Sequence, residues 1–122
     1  MKFYICKHCG NIICYLKSSG VPVFCCGEKM QELVPGTTEA ATEKHIPVLQ
    51  QDGCHVTVTV GSVPHPMTEA HLIEWIVLET EKGFQKVNLT AADAPRAEFL
   101  LSDGDKAVAA YACCNLHGLW KA

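Results

Sequence analysis

The placement of the cysteines constrains this chain more than any other feature of its sequence. Eight cysteines occur among 122 residues, and five of them fall within the first 26. A segment this short buries too little apolar surface to fold readily without a crosslink or a bound metal. The N-terminal stretch MKFYICKHCG is interrupted by Lys7 and His8 before an export signal can form, so we expect a cytoplasmic protein with reduced thiols. Metal ligation is then the expected role of most cysteines.

Composition and charge exclude several classes of partner. The formal net charge is −3 at pH 7, and 48% of the residues are hydrophobic. A surface that binds nucleic acid or acidic membrane needs a basic stripe, which this charge balance argues against. No apolar run approaches the length of a bilayer-spanning helix. We therefore expect a soluble protein without nucleic-acid or membrane partners, built as one ordinary domain or two small ones.

A change of composition divides the chain near residue 36. The five clustered cysteines precede this point, and the other three are spread over the rest of the sequence. The stretch VPGTTEAATEK (Val34–Lys44) combines a Pro-Gly pair with small polar residues, which is typical of a linker. The sequence therefore predicts an N-terminal domain of residues 1–36 and a second domain of residues 37–122.

Short strands dominate the second predicted domain. His55–Val60 (HVTVTV) alternates with period two after an Asp-Gly turn signal. Further strands are expected, with Gly and Asp turn signals between them, at Leu72–Glu79, Phe84–Leu89, Ala97–Leu101 and Lys106–Ala112. Short strands at near-regular spacing predict a β-sandwich, so the expected fold class is mainly β.

Two cysteine pairs in the first domain have the spacing of a metal site. Cys6 and Cys9 form a Cys-x2-Cys pair in CKHC, and Cys25 and Cys26 are adjacent in FCCGEKM. Four thiolates favour tetrahedral zinc or a single iron, and the spacing does not choose between the two metals. Because adjacent side chains must be bent toward one ion, we expect a distorted tetrahedron.

The second domain contains a constellation of histidines and one Cys-x2-His motif. His45 lies in EKHIP, His65 and His71 lie in SVPHPMTEAHLIEW, and CNLH contains Cys114 and His117. Any one histidine is more often structural than a ligand, but three separated motifs in one small domain favour a metal site. If the preceding residues form a strand, Cys113 and Cys114 point to opposite faces. Cys114 is then the ligand, since it lies at turn distance from His117.

Four imidazoles and one thiolate would supply five ligands and leave one position of an iron open for a small molecule. An open position is what separates a catalytic site from a structural one. A thiolate ligand donates electron density to the metal, as in thiolate-ligated haem. The predicted site therefore suits the reduction of a small oxygen species.

Together these motifs resemble the desulfoferrodoxins, the two-iron superoxide reductases of anaerobic and microaerophilic microbes. CKHC and FCCGEKM resemble a desulforedoxin unit, and EKHIPV, VGSVPHPMTEAHLIEWI and CNLHGLW resemble a neelaredoxin domain. The resemblance covers nearly the whole chain. It implies a small desulforedoxin-like or rubredoxin-like domain followed by an immunoglobulin-like β-sandwich.

The resemblance also implies two irons and assigns their ligands. One iron would be bound by Cys6, Cys9, Cys25 and Cys26. The catalytic iron would have equatorial histidines and an axial thiolate, which map to His45, His65, His71, His117 and Cys114. Glu43 and Lys44 match the glutamate and lysine that precede the first histidine ligand in the family. They would be a ligand of the oxidised iron and an electrostatic and protonating group, respectively.

The expected function is the one-electron reduction of superoxide to hydrogen peroxide, with a rubredoxin-like electron donor and a homodimeric assembly. Two alternatives remain open at this stage: an electron-transfer protein whose irons only relay charge, and a binding module with zinc in both sites. The predicted ligand count separates them, because a relay or structural site has no need of five-coordinate iron beside a lysine.

Overall fold

The computed structural model describes all 122 residues and divides the chain into two compact units, Met1–Val34 and Pro35–Ala122. This division lies two residues from the predicted boundary at residue 36. Apart from one helical turn, the regular structure consists of strands, so the predicted mainly β fold class is confirmed. The helical turn has four residues, far fewer than a membrane-spanning helix requires.

The first unit is built from very short strands. In chain order they are β1 (Phe3–Ile5), β2 (Ile12–Cys14), β3 (Phe24–Cys25), β4 (Glu28–Lys29) and β5 (Gln31–Leu33). Strands β2, β1 and β5 form an antiparallel sheet in that order, and β3 pairs with β4 as a hairpin. Its buried apolar side chains are those of Phe3, Cys6 and Met30. This core is small for an independent fold, as the sequence suggested.

The second unit contains one helical turn and seven strands. They are α1 (Thr42–His45), β6 (Pro47–Asp52), β7 (His55–Val60), β8 (Ile73–Thr80), β9 (Phe84–Asn88), β10 (Arg96–Leu100), β11 (Ala107–Cys114) and β12 (Gly118–Lys121). One sheet has the order β10-β7-β6 and the other the order β12-β11-β8-β9, with antiparallel neighbours throughout. The two sheets enclose one core, which is the predicted β-sandwich.

Alternating side chains fill this core. From β7 it receives Val56, Val58 and Val60, which are fully buried, and from β8 it receives residues that include Ile73. Cys114, at the end of β11, belongs to the same buried cluster. The core therefore extends to the end of the sandwich where one predicted metal ligand lies.

The five predicted strands coincide with β7 to β11 within two residues at each end. Strands β6 and β12 and the turn α1 were not predicted. β6 and β12 are edge strands with one neighbour each, and β6 has a mostly exposed sequence, so neither shows a full buried face in the pattern. Residues Thr42–Lys44 of the predicted linker belong to α1.

Candidate metal centres

The four cysteines of the first unit converge on one point. The sulfur atoms of Cys6, Cys9, Cys25 and Cys26 all lie within 4.8 Å of one another. The Sγ atoms of Cys9 and Cys25 are 3.6 Å apart, and all eight cysteines of the chain are free thiols. This is a donor set for one tetrahedral thiolate-bound metal such as zinc or iron.

Two tight turns produce this convergence. In the first, the N–H of Gly10 donates to the carbonyl of Cys6 at 2.9 Å, and the N–H of Cys6 donates to Asn11 at 2.9 Å. The second turn joins β3 to β4 through Cys26 and Gly27, whose φ angles are 53° and 76°. Positive φ at both central residues is the requirement of a type I′ hairpin turn.

The left-handed conformation of Cys26 explains how adjacent cysteines can share one metal. In an extended strand, successive side chains point to opposite faces. The positive φ of Cys26 rotates its side chain toward the same point as that of Cys25. A non-glycine residue pays roughly 1–2 kcal/mol for this conformation. The local strain lies in the backbone of Cys26.

The thiols of this cluster perturb one another's ionisation. The backbone N–H of Cys9 lowers the pKa of Cys6 to about 6. The thiols of Cys9, Cys6 and Cys25 raise the pKa of Cys26 to about 12. Four thiolates crowded together need a cation, and this cluster fits one.

A second cluster lies at one end of the sandwich. Ligand atoms of His45, His65, His71 and Cys114 all lie within 4.8 Å of one another. His117 adjoins this group, with its Nδ1 3.2 Å from His45 Nε2 and 3.8 Å from Cys114 Sγ. The structure therefore brings together all five residues that the sequence singled out in the second domain.

Four separate segments supply these five side chains. His45 ends α1, and both His65 and His71 lie in the loop between β7 and β8. Cys114 ends β11, and His117 lies in the turn that leads to β12. The site depends on the sandwich, because no single segment contributes more than two of its donors.

Backbone hydrogen bonds identify which ring nitrogens face the centre of the cluster. Nδ1 of His45 lies 2.7 Å from the carbonyl of Ala41, and Nδ1 of His65 lies 2.7 Å from the carbonyl of Pro66. Since a carbonyl only accepts, both Nδ1 atoms carry the proton. Both Nε2 atoms then present lone pairs, yet they are only 3.2 Å apart. A ligating histidine typically donates its other N–H to a carbonyl in this way.

One ring nitrogen of the cluster has no hydrogen-bond partner in the protein. Nε2 of His71 is buried and makes no hydrogen bond. A buried polar atom without a partner is costly, and a metal ion would satisfy it. An iron or a similar transition-metal ion fits this donor set. The set consists of the unpaired Nε2, the facing lone pairs of His45 and His65, and the adjacent thiol of Cys114.

Burial keeps the histidines in the form that binds metal. It lowers the pKa of His65 to about 4. Burial also lowers the pKa of His71, and the charges of His117, His45 and Lys44 lower it further. Both imidazoles are therefore neutral at physiological pH, as ligation requires.

Glu43 and Lys44 lie on α1 beside this cluster, and both side chains are exposed. The carbonyl of Glu43 accepts hydrogen bonds from the N–H of Val63 at 2.9 Å and from Ser62 Oγ at 3.2 Å. Behind this contact lies Gly61, where an added Cβ would come within 2.6 Å of the Glu43 carbonyl oxygen. The α1 turn thus sits directly on the loop that leads to His65.

The C-terminus covers the cluster from another side. Trp120 is buried, and its ring lies 4.9 Å from the ring of His45 between centroids. Its Nε1–H donates to the carbonyl of His117 at 3.1 Å. Ala110 and Ala122 exchange backbone hydrogen bonds, so the chain end is anchored to β11. The last residues are therefore part of the site's wall.

The remaining cysteines lie outside both clusters. Cys113 is buried, and burial raises the pKa of its thiol to about 12, with the charge of Glu74 adding to the effect. Cys14 is half-buried on β2, and Cys54 is exposed in the turn before β7. Among the two adjacent cysteines of β11, it is Cys114 whose sulfur faces the histidines.

Sequence reasoning missed two residues that hold the second cluster in place. Gly61 carries a signal in the sequence, because a glycine between a strand and a proline-rich loop marks close backbone approach. Asn115 follows Cys114 and gave no signal beyond its place in CNLH. The side-chain amide of Asn115 contacts the backbone on both sides of His71.

Known proteins and structures match either the whole chain or a large part of it. Residues 37–122 match a family model described as Desulfoferrodoxin. The chain is 48% identical over 121 residues to Desulfoferrodoxin of Nitratidesulfovibrio vulgaris, with 99% of this chain and 94% of that protein covered. It is 38% identical over 96 residues to Superoxide reductase of Pyrococcus abyssi, covering 65% of this chain and 84% of that protein. The crystal structure of the superoxide reductase from Treponema pallidum matches with a TM-score of 0.83 and 40% identity, covering 99% of this chain and 97% of that chain.

Proposed function

Because the chain belongs to the desulfoferrodoxin family, we propose that it is a superoxide reductase whose reaction takes place at the histidine and cysteine cluster of the second unit. The single observation that supports this best is the convergence of histidine ring nitrogens on the Cys114 thiol, with His71 Nε2 buried and unpaired. The reaction transfers one electron to superoxide, and two protons complete hydrogen peroxide.

We assign the ligands as the sequence predicts. Cys6, Cys9, Cys25 and Cys26 bind one iron, and His45, His65, His71, His117 and Cys114 bind the other. An iron held in the second site would, in its ferrous state, supply the electron and an open position for superoxide. Cys114 belongs to the buried core, whereas His71 and His117 are only half-buried, so the solvent-facing side of the cluster lies away from the thiol.

Lys44 is proposed to attract the anionic substrate and to supply a proton. Its side chain is exposed, and its charge is close enough to the cluster to lower the pKa of His71. A cation beside the opening raises the local concentration of an anion. Glu43 is proposed as a ligand of the oxidised iron, as the family resemblance implies, and its side chain is exposed beside the cluster.

We propose a desulforedoxin-like domain of residues 1–36 and a neelaredoxin-like domain of residues 37–122. The first unit has a small core and exposes large apolar side chains, with 88% of Leu16, 70% of Val21 and 64% of Phe24 accessible. A second copy of the chain that covers these side chains would compensate for the small core, so we propose a homodimer. A monomer in sedimentation at micromolar concentration would contradict it.

The proposed electron donor is a small rubredoxin-like protein, and the proposed compartment is the cytoplasm. Eight free thiols, five of them in the two candidate metal sites, suit a reducing compartment. Oxidised protein mixed with a reduced rubredoxin-like protein should return to the ferrous state within the time of catalysis. Failure of that reduction would argue for another donor.

Metal content and pulse radiolysis test the function. We expect two irons per chain, coloured protein, and a rapid second-order reaction of the reduced protein with superoxide that yields hydrogen peroxide without dioxygen. A colourless protein with zinc in both sites would indicate a binding module, because zinc has no d-electron transition. Two irons that exchange electrons without reacting with superoxide would indicate an electron-transfer protein.

A further inference from the structure

The side-chain amide of Asn115 bridges the two residues on either side of His71. Asn115 Oδ1 accepts a hydrogen bond from the N–H of Leu72 at 3.0 Å, and Asn115 Nδ2 donates to the carbonyl of Ala70 at 3.0 Å. We call these two bonds the Asn115 bridge. The bridge determines the orientation of the amide, since Leu72 offers a donor and Ala70 an acceptor.

The bridge extends the sheet where the backbone ladder becomes irregular. Cys113 pairs with Trp75 but Cys114 pairs with Ile73, so β8 has one extra residue at this point. Beyond this bulge, the N–H of Asn115 still donates to the carbonyl of Leu72 at 3.1 Å. The return bond, which a backbone carbonyl would accept in a regular ladder, goes instead to the Asn115 side chain.

The bridge connects two segments that each hold a donor of the catalytic cluster. Asn115 directly follows Cys114, and the bridged residues flank His71. Thr68 also holds His71, through its backbone and its hydroxyl at 2.9 to 3.3 Å, but Thr68 lies in the same loop. Thr68 therefore shapes the loop, whereas Asn115 sets the position of the loop relative to the Cys114 strand.

We propose that Asn115 is a positioning residue of the catalytic site, which holds His71 Nε2 at the distance from Cys114 Sγ at which both bind the same iron. The inference rests on the proposed function only in taking this cluster as the iron site. Asparagine is suited to the task because its amide has one acceptor and one donor group on a short stem. Aspartate keeps the acceptor alone, and leucine has a similar volume but neither group.

The test uses full-length, iron-loaded protein and two readouts besides activity. The first is the rate at which excess chelator removes the catalytic iron, followed by the absorption of the thiolate-bound oxidised site. The second is hydrogen exchange of the Leu72 amide in the same iron-loaded protein. For Asn115→Leu we expect iron loss about tenfold faster, at the low end of what outer-shell substitutions cost, a shifted absorption band and loss of Leu72 protection.

Asn115→Asp should show a smaller increase in iron loss, because it keeps the acceptor for the Leu72 N–H and therefore its protection. Thr68→Ala should lie closer to wild type than Asn115→Leu, since its backbone bonds to His71 persist. Asn88→Asp on β9 is the matched control, with the same chemical change at an exposed strand residue, and should behave as wild type.

Asn115→Leu with wild-type iron retention and an unshifted band would overturn the inference, even if Leu72 lost its protection. If Asn115→Leu fails to fold, Asn115→Asp with wild-type iron retention and band position would overturn it instead. A wild-type protein that retains iron in this site but does not react with superoxide would defeat the proposed function and leave the positioning role standing. Iron retention thus tests the positioning role, and reactivity with superoxide tests the proposed function.

Discussion

The two ligand clusters are built in opposite ways. The four-cysteine cluster uses two tight turns, and its ligands come in two close pairs within the first 26 residues. The histidine and cysteine cluster joins residues from His45 to His117, which only the two sheets bring together. Local turns can build a closed thiolate site on almost no core, whereas a site with an open position needs a scaffold to hold its ligands apart and in place.

The two clusters also differ in what holds the ligands. At the first, the backbone of Cys26 adopts a left-handed conformation so that neighbouring thiols can meet. At the second, the ligands are positioned by their surroundings: carbonyls fix the rings of His45 and His65, and Gly61 admits the α1 turn. Substitutions outside the ligands should therefore matter more at the second cluster.

The largest effect on superoxide reduction is expected for Cys114→Ser. Exchange of the thiolate for a weak oxygen ligand should slow the reaction by more than about 100-fold, which exceeds the usual effect of replacing a residue that only supports a ligand. It should also shift the absorption of the oxidised site. Pulse radiolysis and absorption spectra measure both. Cys113→Ala is the matched control and should keep the rate and the spectrum. A Cys114→Ser protein indistinguishable from wild type would mean that the wrong cysteine has been assigned.

Gly61→Ala should have the next largest effect. The new methyl group would lie 2.6 Å from the Glu43 carbonyl oxygen and 3.0 Å from that of Ile46, so the backbone of α1 must move. We expect a loss of about 1–3 kcal/mol in the free energy of unfolding, measured by denaturation. Displacement of the turn that ends at His45 should also slow the reaction by about 10- to 100-fold.

Gly83→Ala is the control for Gly61→Ala, because nothing lies within 4 Å of a Cβ at that position. It should leave stability and rate close to wild type. Wild-type stability and rate in Gly61→Ala would show that the α1 turn tolerates displacement. The ligands of the second cluster would then not depend on the close contact between Gly61 and α1.

Lys44→Ala should slow the reaction only severalfold. The substitution removes a positive charge beside the cluster but no ligand, so iron content should not change. Added salt should slow the wild-type reaction more than that of the variant, because salt screens the attraction of an anion. Rate constants at several ionic strengths measure this, with Lys86→Ala on β9 as the control. Equal salt dependence in wild type and Lys44→Ala would rule out the steering role.

Cys26→Ser should have the smallest effect on superoxide reduction, although it should empty the four-cysteine site. Elemental analysis should find one iron per chain instead of two, with the reaction rate of the reduced protein unchanged. Cys25→Ser should behave in the same way. Loss of both irons in either variant would contradict two independent sites. It would show that the second cluster needs the first one in order to bind its metal.

Much of this architecture is determined by local sequence. The alternation in β7 and the turn signals after it predict the strands of the sandwich, because a half-buried strand must alternate. The spacing within each cysteine pair places both of its members in one tight turn. Spacing also identifies Cys114 over Cys113, since a strand directs adjacent residues to opposite faces.

Only the tertiary structure decided the rest. β6 is mostly exposed, and the two buried residues of β12 are consecutive, so neither edge strand alternates. The single turn α1 is too short to show a period and is held by contacts with the Gly61 loop. In the sequence, His71 and Asn115 are two polar residues 44 positions apart, and no local pattern predicts that they lie close together. Their relation arises from the antiparallel pairing of β8 with β11, whose register shifts between Cys113 and Cys114. Long-range pairing of this kind depends on the packing of whole sheets, so local sequence determines the donor atoms of the second site but not the framework that sets their distances.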